Sequence, residues 1–218
     1  MSIKTLFFSE SPYLFIFITI AFGIVDYVIL NYCKCKSVRT RLILSYFTLI
    51  FLLVCFYRIP ERINHSPSEF VVAPCDGKVM SVLHLDDGLT HIAIYLNIFD
   101  THVQWSPIHG RVTSLAYKKG TFNFAHLLNK SKHNERLEMM IYSPLIQKHI
   151  KVVQIAGQFV RRIVNFTQQG DDVQRGDLIG MIKLSSRVDL FIPTKHIELH
   201  VRKGERIFGN QTIIGKLY

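Results

Sequence analysis

The chain has 218 residues, 49% of them apolar, and a formal net charge of +10. That length supports one sizeable core or two small ones, and the positive balance admits either nucleic acid or anionic lipid as a partner. Cys33, Cys35, Cys55 and Cys75 are too few and too scattered for a disulfide framework or a four-ligand zinc site, so all four read as free thiols.

Tyr13 to Tyr32 is apolar over about one bilayer-spanning length, with Asp26 its only charge. A second, shorter apolar run covers Leu42 to Tyr57. Between them lies a basic loop, Lys34 to Arg41. Neither run shows a polar face, which argues against buried core helices. The second run argues against a cleaved signal peptide. The expected unit is a membrane-associated helical hairpin over 1–57. The positive-inside rule places the basic loop in the cytoplasm, but Lys4, Arg58 and Arg62 nearly balance its charge, so sequence leaves the orientation open.

From residue 58 onward the texture changes. Short runs rich in Val, Ile and Tyr alternate with Gly, Asp, Asn and Pro, which predicts strands over Phe70–Ala73, Lys78–His84, His91–Asn97, Val112–Tyr117, Glu138–Tyr142, Lys148–Ile155 and Ile179–Ile192. Thr121–Asn129 and Gln158–Asn165 read as short helices or turns. Glu198–Val201 and Thr212–Lys216 form a hairpin across a glycine-bearing turn. The expected fold is mainly β, a compact β-rich catalytic domain over 58–218 with glycine-turn hairpins, and no βαβ rhythm of a dinucleotide fold.

Several clusters could carry chemistry. Asp76 sits in a tight Asp-Gly turn between two strands, which is also ordinary turn chemistry. His102 ends the stretch Leu96-Asn97-Ile98-Phe99-Asp100-Thr101-His102. It reads either as a satisfied buried histidine or as a general acid–base, since its unshifted pKa of about 6.5 suits proton transfer near neutrality. His109 is a weaker candidate. Ser185-Ser186-Arg187 interrupts the strand pattern of Met181 to Pro193. It reads either as a polar kink in an edge strand or as a backbone reaction site. Arg136, Arg161, Arg162 and Arg187 are candidate anion binders, because arginine offers a rigid fork to phosphate or carboxylate. The ten histidines form no close run of ligands, so no metal is expected. The basic and aromatic interleaving of a nucleic-acid binder is missing. Asp76, His102 and Ser186 supply the parts of an Asp–His–Ser relay, although Ser186 lacks the Gly-x-Ser-x-Gly elbow of a serine hydrolase.

These blocks resemble the phosphatidylserine decarboxylase family in its short membrane-attached form. Phe56-Tyr57-Arg58-Ile59-Pro60-Glu61-Arg62 is similar to the family's Phe-Phe-Arg-Asp-Pro-x-Arg segment, with Ile59 for aspartate. Val72 to Val79 resembles its Ser-Pro-Ala-Asp-Gly motif. Leu96 to Val103 resembles its central motif. Asn134-Glu135-Arg136, Gln154 to Gly157 and Arg161-Arg162-Ile163 are similar to further blocks, and Ser186 to Pro193 to the block around the processing serine. Trp105 stands where some members have a second histidine, and Ser185 stands where the family has glycine.

The resemblance implies a self-processed decarboxylase of phosphatidylserine. Asp76 would orient His102, which would deprotonate Ser186 for attack on the Ser185 carbonyl. Cleavage between Ser185 and Ser186 would give fragments 1–185 and 186–218 that stay associated, and a pyruvoyl cofactor derived from Ser186. That carbonyl would form a Schiff base with the lipid amine and act as electron sink, with His102 protonating the carbanion. The implied setting is a phospholipid membrane, the bacterial inner membrane with the catalytic domain at its cytoplasmic face, and a homodimer. Phe122, Phe124, Leu127 and Leu128 would form an apolar lip near the acyl chains. The alternatives are a serine hydrolase with intact Ser186 and a processing-deficient membrane-bound scaffold.

Overall fold

The structure is a computed structural model that describes residues 12–32, 36–158, 163–182 and 186–218. It divides into two compact units, Met1–Ile59 and Pro60–Tyr218.

In the first unit, helix α1 spans Pro12–Tyr32 and α2 spans Lys36–Phe56. The two helices meet through stacked Phe22 and Tyr46 rings, 4.3 Å between centroids, and a 3.1 Å hydrogen bond between the Thr19 and Tyr46 hydroxyls. The lone charge of the first run is matched, because Arg39 Nε lies 3.4 Å from Asp26 Oδ1. The relative lengths differ from the sequence expectation. Helix α2 begins at Lys36 and absorbs most of the basic loop. Its stretch Ser37–Phe56, with mean hydropathy 1.8, is the one long and apolar enough to cross a membrane among the described residues. The described apolar part of α1, Ile16–Asn31, is shorter. Nothing in the pattern 34–41 forbids helix: it contains no Gly or Pro, the residues that would break one.

The described residues of the second unit form fourteen strands: β1 Phe70–Val72, β2 Gly77–His84, β3 Leu89–Leu96, β4 Val103–Trp105, β5 Gly110–Lys118, β6 Arg136–Ser143, β7 Lys148–Ala156, β8 Ile163–Asn165, β9 Asp172–Val173, β10 Leu178–Ile182, β11 Ser186–Pro193, β12 Ile197–Leu199, β13 Arg206–Ile207 and β14 Ile213–Leu217. An eight-stranded sheet runs in the order β13-β2-β3-β11-β7-β6-β5-β9, and two three-stranded sheets run β1-β14-β12 and β4-β10-β8. All pairings of named strands are antiparallel. The mainly β expectation is met.

Period-2 alternation explains which face is buried. On β11, Val188, Leu190 and Ile192 are fully buried, as are Ile92, Ile94 and Leu96 on β3 and Ile150 and Val152 on β7. Each such aliphatic side chain contributes about 1.5–3 kcal/mol when removed from water. Two expectations are corrected here. Ile179–Ile192 is two strands rather than one, since β10 pairs with β4 and β8 while β11 pairs with β3 and β7. Both halves are apolar enough to read as one run. β11 is also a central strand of the large sheet and not an edge.

Gly77 shows why Asp76 is followed by glycine. Its φ is +152°, and a Cβ there would lie 2.5 Å from the Tyr95 carbonyl oxygen on β3. Only glycine lets β2 leave the Asp76 turn this close to its neighbour.

Candidate active site

His102 lies just before β4, and its backbone is fixed from two sides. Its carbonyl accepts the Ile182 N–H at 3.0 Å and Gln104 Nε2 at 2.8 Å. Gln104 Oε1 in turn accepts Gln154 Nε2 at 3.1 Å. Gln154 points to the core face of β7, between Val152 and Ala156, and Ala156 is the direct partner of Ser186. Ser186 therefore opens β11 on the same sheet face that carries the Gln154–Gln104 link to His102. The chain closes the arrangement again at both ends. Ile182, bonded to His102, precedes Ser186 by four residues, and Leu96, paired with Ser186, precedes His102 by six.

The ring of His102 is buried, and its Nδ1 lies 2.8 Å from the Asp100 carbonyl oxygen. A carbonyl can only accept, so Nδ1 carries the proton. In the neutral ring the lone pair then belongs to Nε2. Ser186 is wholly buried, and its hydroxyl makes no hydrogen bond among the described residues. Such a group is costly to leave unsatisfied, which marks it as a group with a further use.

Asp76 is buried and held by a different set of partners. Arg62 grips it through both guanidinium nitrogens, Nη2 to Oδ2 at 2.8 Å and Nη1 to Oδ1 closer still. The Gly209 N–H donates to Oδ1 at 2.8 Å. Burial pushes the Asp76 carboxyl up. The Arg62 and Gly209 hydrogen bonds and the Arg62 charge outweigh it and hold the group below the usual carboxylate range. The Thr101 hydroxyl, near the carboxylate though outside hydrogen-bond geometry, adds to that pull. Arg62 also stacks over Trp105, 4.9 Å from the ring centroid. Pro74 ties this cluster to β4, its carbonyl accepting the Trp105 N–H at 2.8 Å. The acceptor at His102 Nδ1 is thus the Asp100 backbone, while the carboxylate of Asp76 faces Arg62 and Gly209. The adjacent Cys75 thiol is pushed well up by burial and by the neighbouring carboxylates, Asp76 first, so it stays a protonated, inert core group.

Asp100 itself is pinned. Its carboxylate pairs with Arg206 and accepts the Asn97 N–H at 2.7 Å, so its carbonyl is presented to His102 from a closed turn.

Two of the candidate arginines, Arg136 and Arg187, separate from this site. By strand alternation Arg187 points away from Ser186, to the opposite face of the large sheet. Arg136 lies in the same cross-strand row, through Ile155. The two line a cavity of about 460 Å³ with Leu128, Lys151, Asp189 and Phe191. Arg187 is buried and committed to Asp189, Nε to Oδ1 at 2.8 Å, and to Ser131 Oγ at 2.6 Å. Arg136 binds Glu138 at 3.0 Å and the Lys132 carbonyl. Ser185, Arg161 and Arg162 lie outside the described residues. Of the expected apolar lip, Phe122 packs against the core and Leu128 lines the cavity on the face opposite Ser186. His109 is exposed and bonds Gln174 at 2.8 Å.

Four participants carried no expected role: Arg62, Asp100, Gln104 and Gln154. The two glutamines had a signal, since each is a lone amide in an apolar strand.

The family model for phosphatidylserine decarboxylase matches residues 49–215. A phosphatidylserine decarboxylase proenzyme of Carboxydothermus hydrogenoformans is 36% identical over 177 residues, 78% of this chain and 82% of that protein. A phosphatidylserine decarboxylase proenzyme of Syntrophotalea carbinolica is 33% identical over 210 residues, 94% of this chain and 92% of its own. A Methanosarcina barkeri protein, provisionally named an archaetidylserine decarboxylase proenzyme, is 37% identical over 167 residues, 77% of this chain and 78% of its own. The match takes in the Asp76 turn, the His102 segment and the Ser186 strand, and on this similarity the chain belongs to the phosphatidylserine decarboxylase family.

Proposed function

We propose that this chain decarboxylates phosphatidylserine to phosphatidylethanolamine, using a pyruvoyl group that it makes from Ser186. The observation that carries this reading is the Ser186 hydroxyl, wholly buried, with no hydrogen bond among the described residues, at the sheet end where His102 is anchored. A hydrolytic serine usually stands at a Gly-x-Ser-x-Gly elbow, whereas Ser186 opens a central strand of the large sheet with no glycine beside it.

In the proposed maturation, His102 Nε2 takes the Ser186 hydroxyl proton while Oγ attacks the Ser185 carbonyl carbon. The 185–186 peptide C–N bond breaks, the amine of residue 186 takes up a proton, and an ester to Oγ remains. Loss of the residue 186 Cα proton then expels the Ser185 carboxylate from Cβ and leaves dehydroalanine. Its imine tautomer takes up water and releases ammonia. The residues present fit this conversion: the side chain that must be consumed is the one polar group at the start of β11 that is committed to nothing else described.

The pyruvoyl group would be held at residue 186, at the start of β11 between Leu96 and Ala156, and would supply a carbonyl for the substrate amine and an electron sink for the loss of carbon dioxide. The protein supplies the rest. His102, held as the Nδ1–H form by Asp100, carries a proton at Nε2 to and from the reacting centre. The Gln104–Gln154 link fixes its depth in the site. Asp76 with Arg62 stabilises the turn that backs β4 and sets a fixed negative charge near Thr101.

The proposed fragments stay together because 186–218 supplies β11, clamped between β3 and β7, and β13 and β14, which pair with β2 and β1 of the other fragment. The apolar stretch Ser37–Phe56 supports a membrane setting, proposed as the cytoplasmic face of a bacterial inner membrane, with a homodimer as the proposed assembly. Purified protein incubated with phosphatidylserine vesicles should release carbon dioxide, and hydroxylamine should abolish the release by trapping the carbonyl. Carbon dioxide release that survives hydroxylamine would refute the pyruvoyl route.

A further inference from the structure

The turn that presents Asp100 to His102 carries a second feature. Ile98 and Phe99, at its tip, are 57% and 75% exposed. They are adjacent apolar side chains in a turn whose flanking residues, Leu96 and Asp100, are buried. Single exposed apolar residues are ordinary, but this pair is held outward by its own backbone. Asn97 O accepts the Asp100 N–H at 3.0 Å, Asn97 Oδ1 accepts the Phe99 N–H at 2.8 Å, and Asp100 Oδ2 accepts the Asn97 N–H at 2.7 Å. The tip cannot turn inward without breaking these bonds.

Its surroundings are cationic. Arg206 pairs with Asp100 and lies across from exposed Lys78 on the β13–β2 edge. Phe208, 46% exposed, sits 5.9 Å from the Arg206 guanidinium. An apolar tip beside exposed Lys78 and Arg206 matches the surface of a bilayer that contains anionic lipid, where rings enter the headgroup boundary and cations meet phosphates.

We propose that Ile98 and Phe99 form a wedge that enters an anionic bilayer surface and holds the His102 site at headgroup depth. The proposal rests on the lipid-decarboxylase reading for its purpose, though its test does not need turnover. F99W places an indole at the tip, while the native Trp105 is buried and gives a constant background. L145W places one in the β6–β7 turn, at the far end of the strands, where Leu145 is 54% exposed.

The full chain would be reconstituted into phosphatidylcholine–phosphatidylglycerol vesicles with bromines on the upper acyl chains. The F99W emission should be strongly quenched relative to wild type and the L145W emission should not. The double variant I98S/F99S should lose about tenfold or more of its activity on vesicle substrate and keep its activity on a soluble short-chain substrate. F99W emission quenched no more than that of L145W would overturn the wedge. So would a dimer dissolved by I98S/F99S with no lipid quenching, which would assign the tip to a second copy. Quenching without carbon dioxide release from phosphatidylserine would leave the wedge standing and sink the decarboxylase reading alone.

Discussion

His102 Nδ1 and the Asp100 carbonyl oxygen are 2.8 Å apart, and that contact decides which nitrogen of the ring can act as a base. An acceptor-only partner at Nδ1 does the work that a carboxylate does in an Asp–His–Ser relay, without adding charge to the imidazole. The asparagine substitution separates the two functions of the ring. H102N keeps an N–H donor within reach of Asp100 and removes the basic nitrogen. It should fold with a melting temperature close to wild type, yet stay uncut on denaturing gels, whereas H102A should lose both the cut and some stability. A cut H102N chain would show that His102 is not the base.

Arg62 and Asp76 form a buried ion pair, with side chains 10% and 5% exposed. Removing one partner of such a pair leaves an uncompensated charge and costs about 3–5 kcal/mol. R62M should therefore lower stability by roughly that amount at neutral pH, read by chemical denaturation of the catalytic unit. The pH dependence has a definite sign. Asp76 titrates lower in the folded chain than the ordinary carboxylate, so its contribution is complete above the unfolded value near 4 and is lost as pH falls through the depressed folded one. In R62M only the Gly209 N–H and Thr101 still oppose burial, the carboxyl protonates more readily, and the penalty should shrink on moving from neutral pH toward pH 4. A penalty that does not vary with pH would remove Asp76 from the account.

Gly180 leaves room for the amide link behind His102. A Cβ there would lie 2.4 Å from Gln154 Nε2 and 2.7 Å from the Val164 carbonyl oxygen. The amide can swing away but the carbonyl belongs to β8, so G180A should displace Gln154 and slow maturation while the sheet still forms. Time courses of cleavage after synthesis would measure it. Q154L should slow maturation in the same direction by removing the donor to Gln104, and wild-type cleavage rates in both variants would contradict the link.

Arg187 is expected to matter through stability. Its guanidinium is 5% exposed and spans Asp189 and Ser131, on the face turned away from Ser186. R187M should cost about 3–5 kcal/mol. Material that does fold, measured well below its melting temperature, should keep a KM for lipid close to wild type. A raised KM at unchanged stability would restore Arg187 to substrate recognition.

The alternation of apolar residues made most of the large sheet legible, and strands such as β3, β6 and β7 fall where aliphatic side chains recur at every second position, as Leu137, Met139 and Ile141 do on β6. The division of Ile179–Ile192 was not legible, because a strand that changes sheets keeps its composition and only its partners change. β4, β9 and β13 span two or three residues each, too short to show a period. At the site, Asp76, His102 and Ser186 could be singled out through their motifs. Asp100 could not be given its orienting role, since a backbone carbonyl leaves no trace in residue type. Arg62 could not be paired with Asp76, fourteen residues away, without the fold. The assignment of Arg136 and Arg187 to the substrate rested on residue type alone, and strand parity sends both to the other face.

In the proposed maturation the hydroxyl of Ser186 breaks the 185–186 bond. Intact mass under denaturing conditions, on freshly purified wild type and on S186A, tests it most directly. Wild type should give two fragments, 1–185 and 186–218, the smaller one blocked at its N-terminus and mass-shifted by hydroxylamine, and S186A a single full-length chain. A single unbroken wild-type polypeptide with no trappable carbonyl would contradict it.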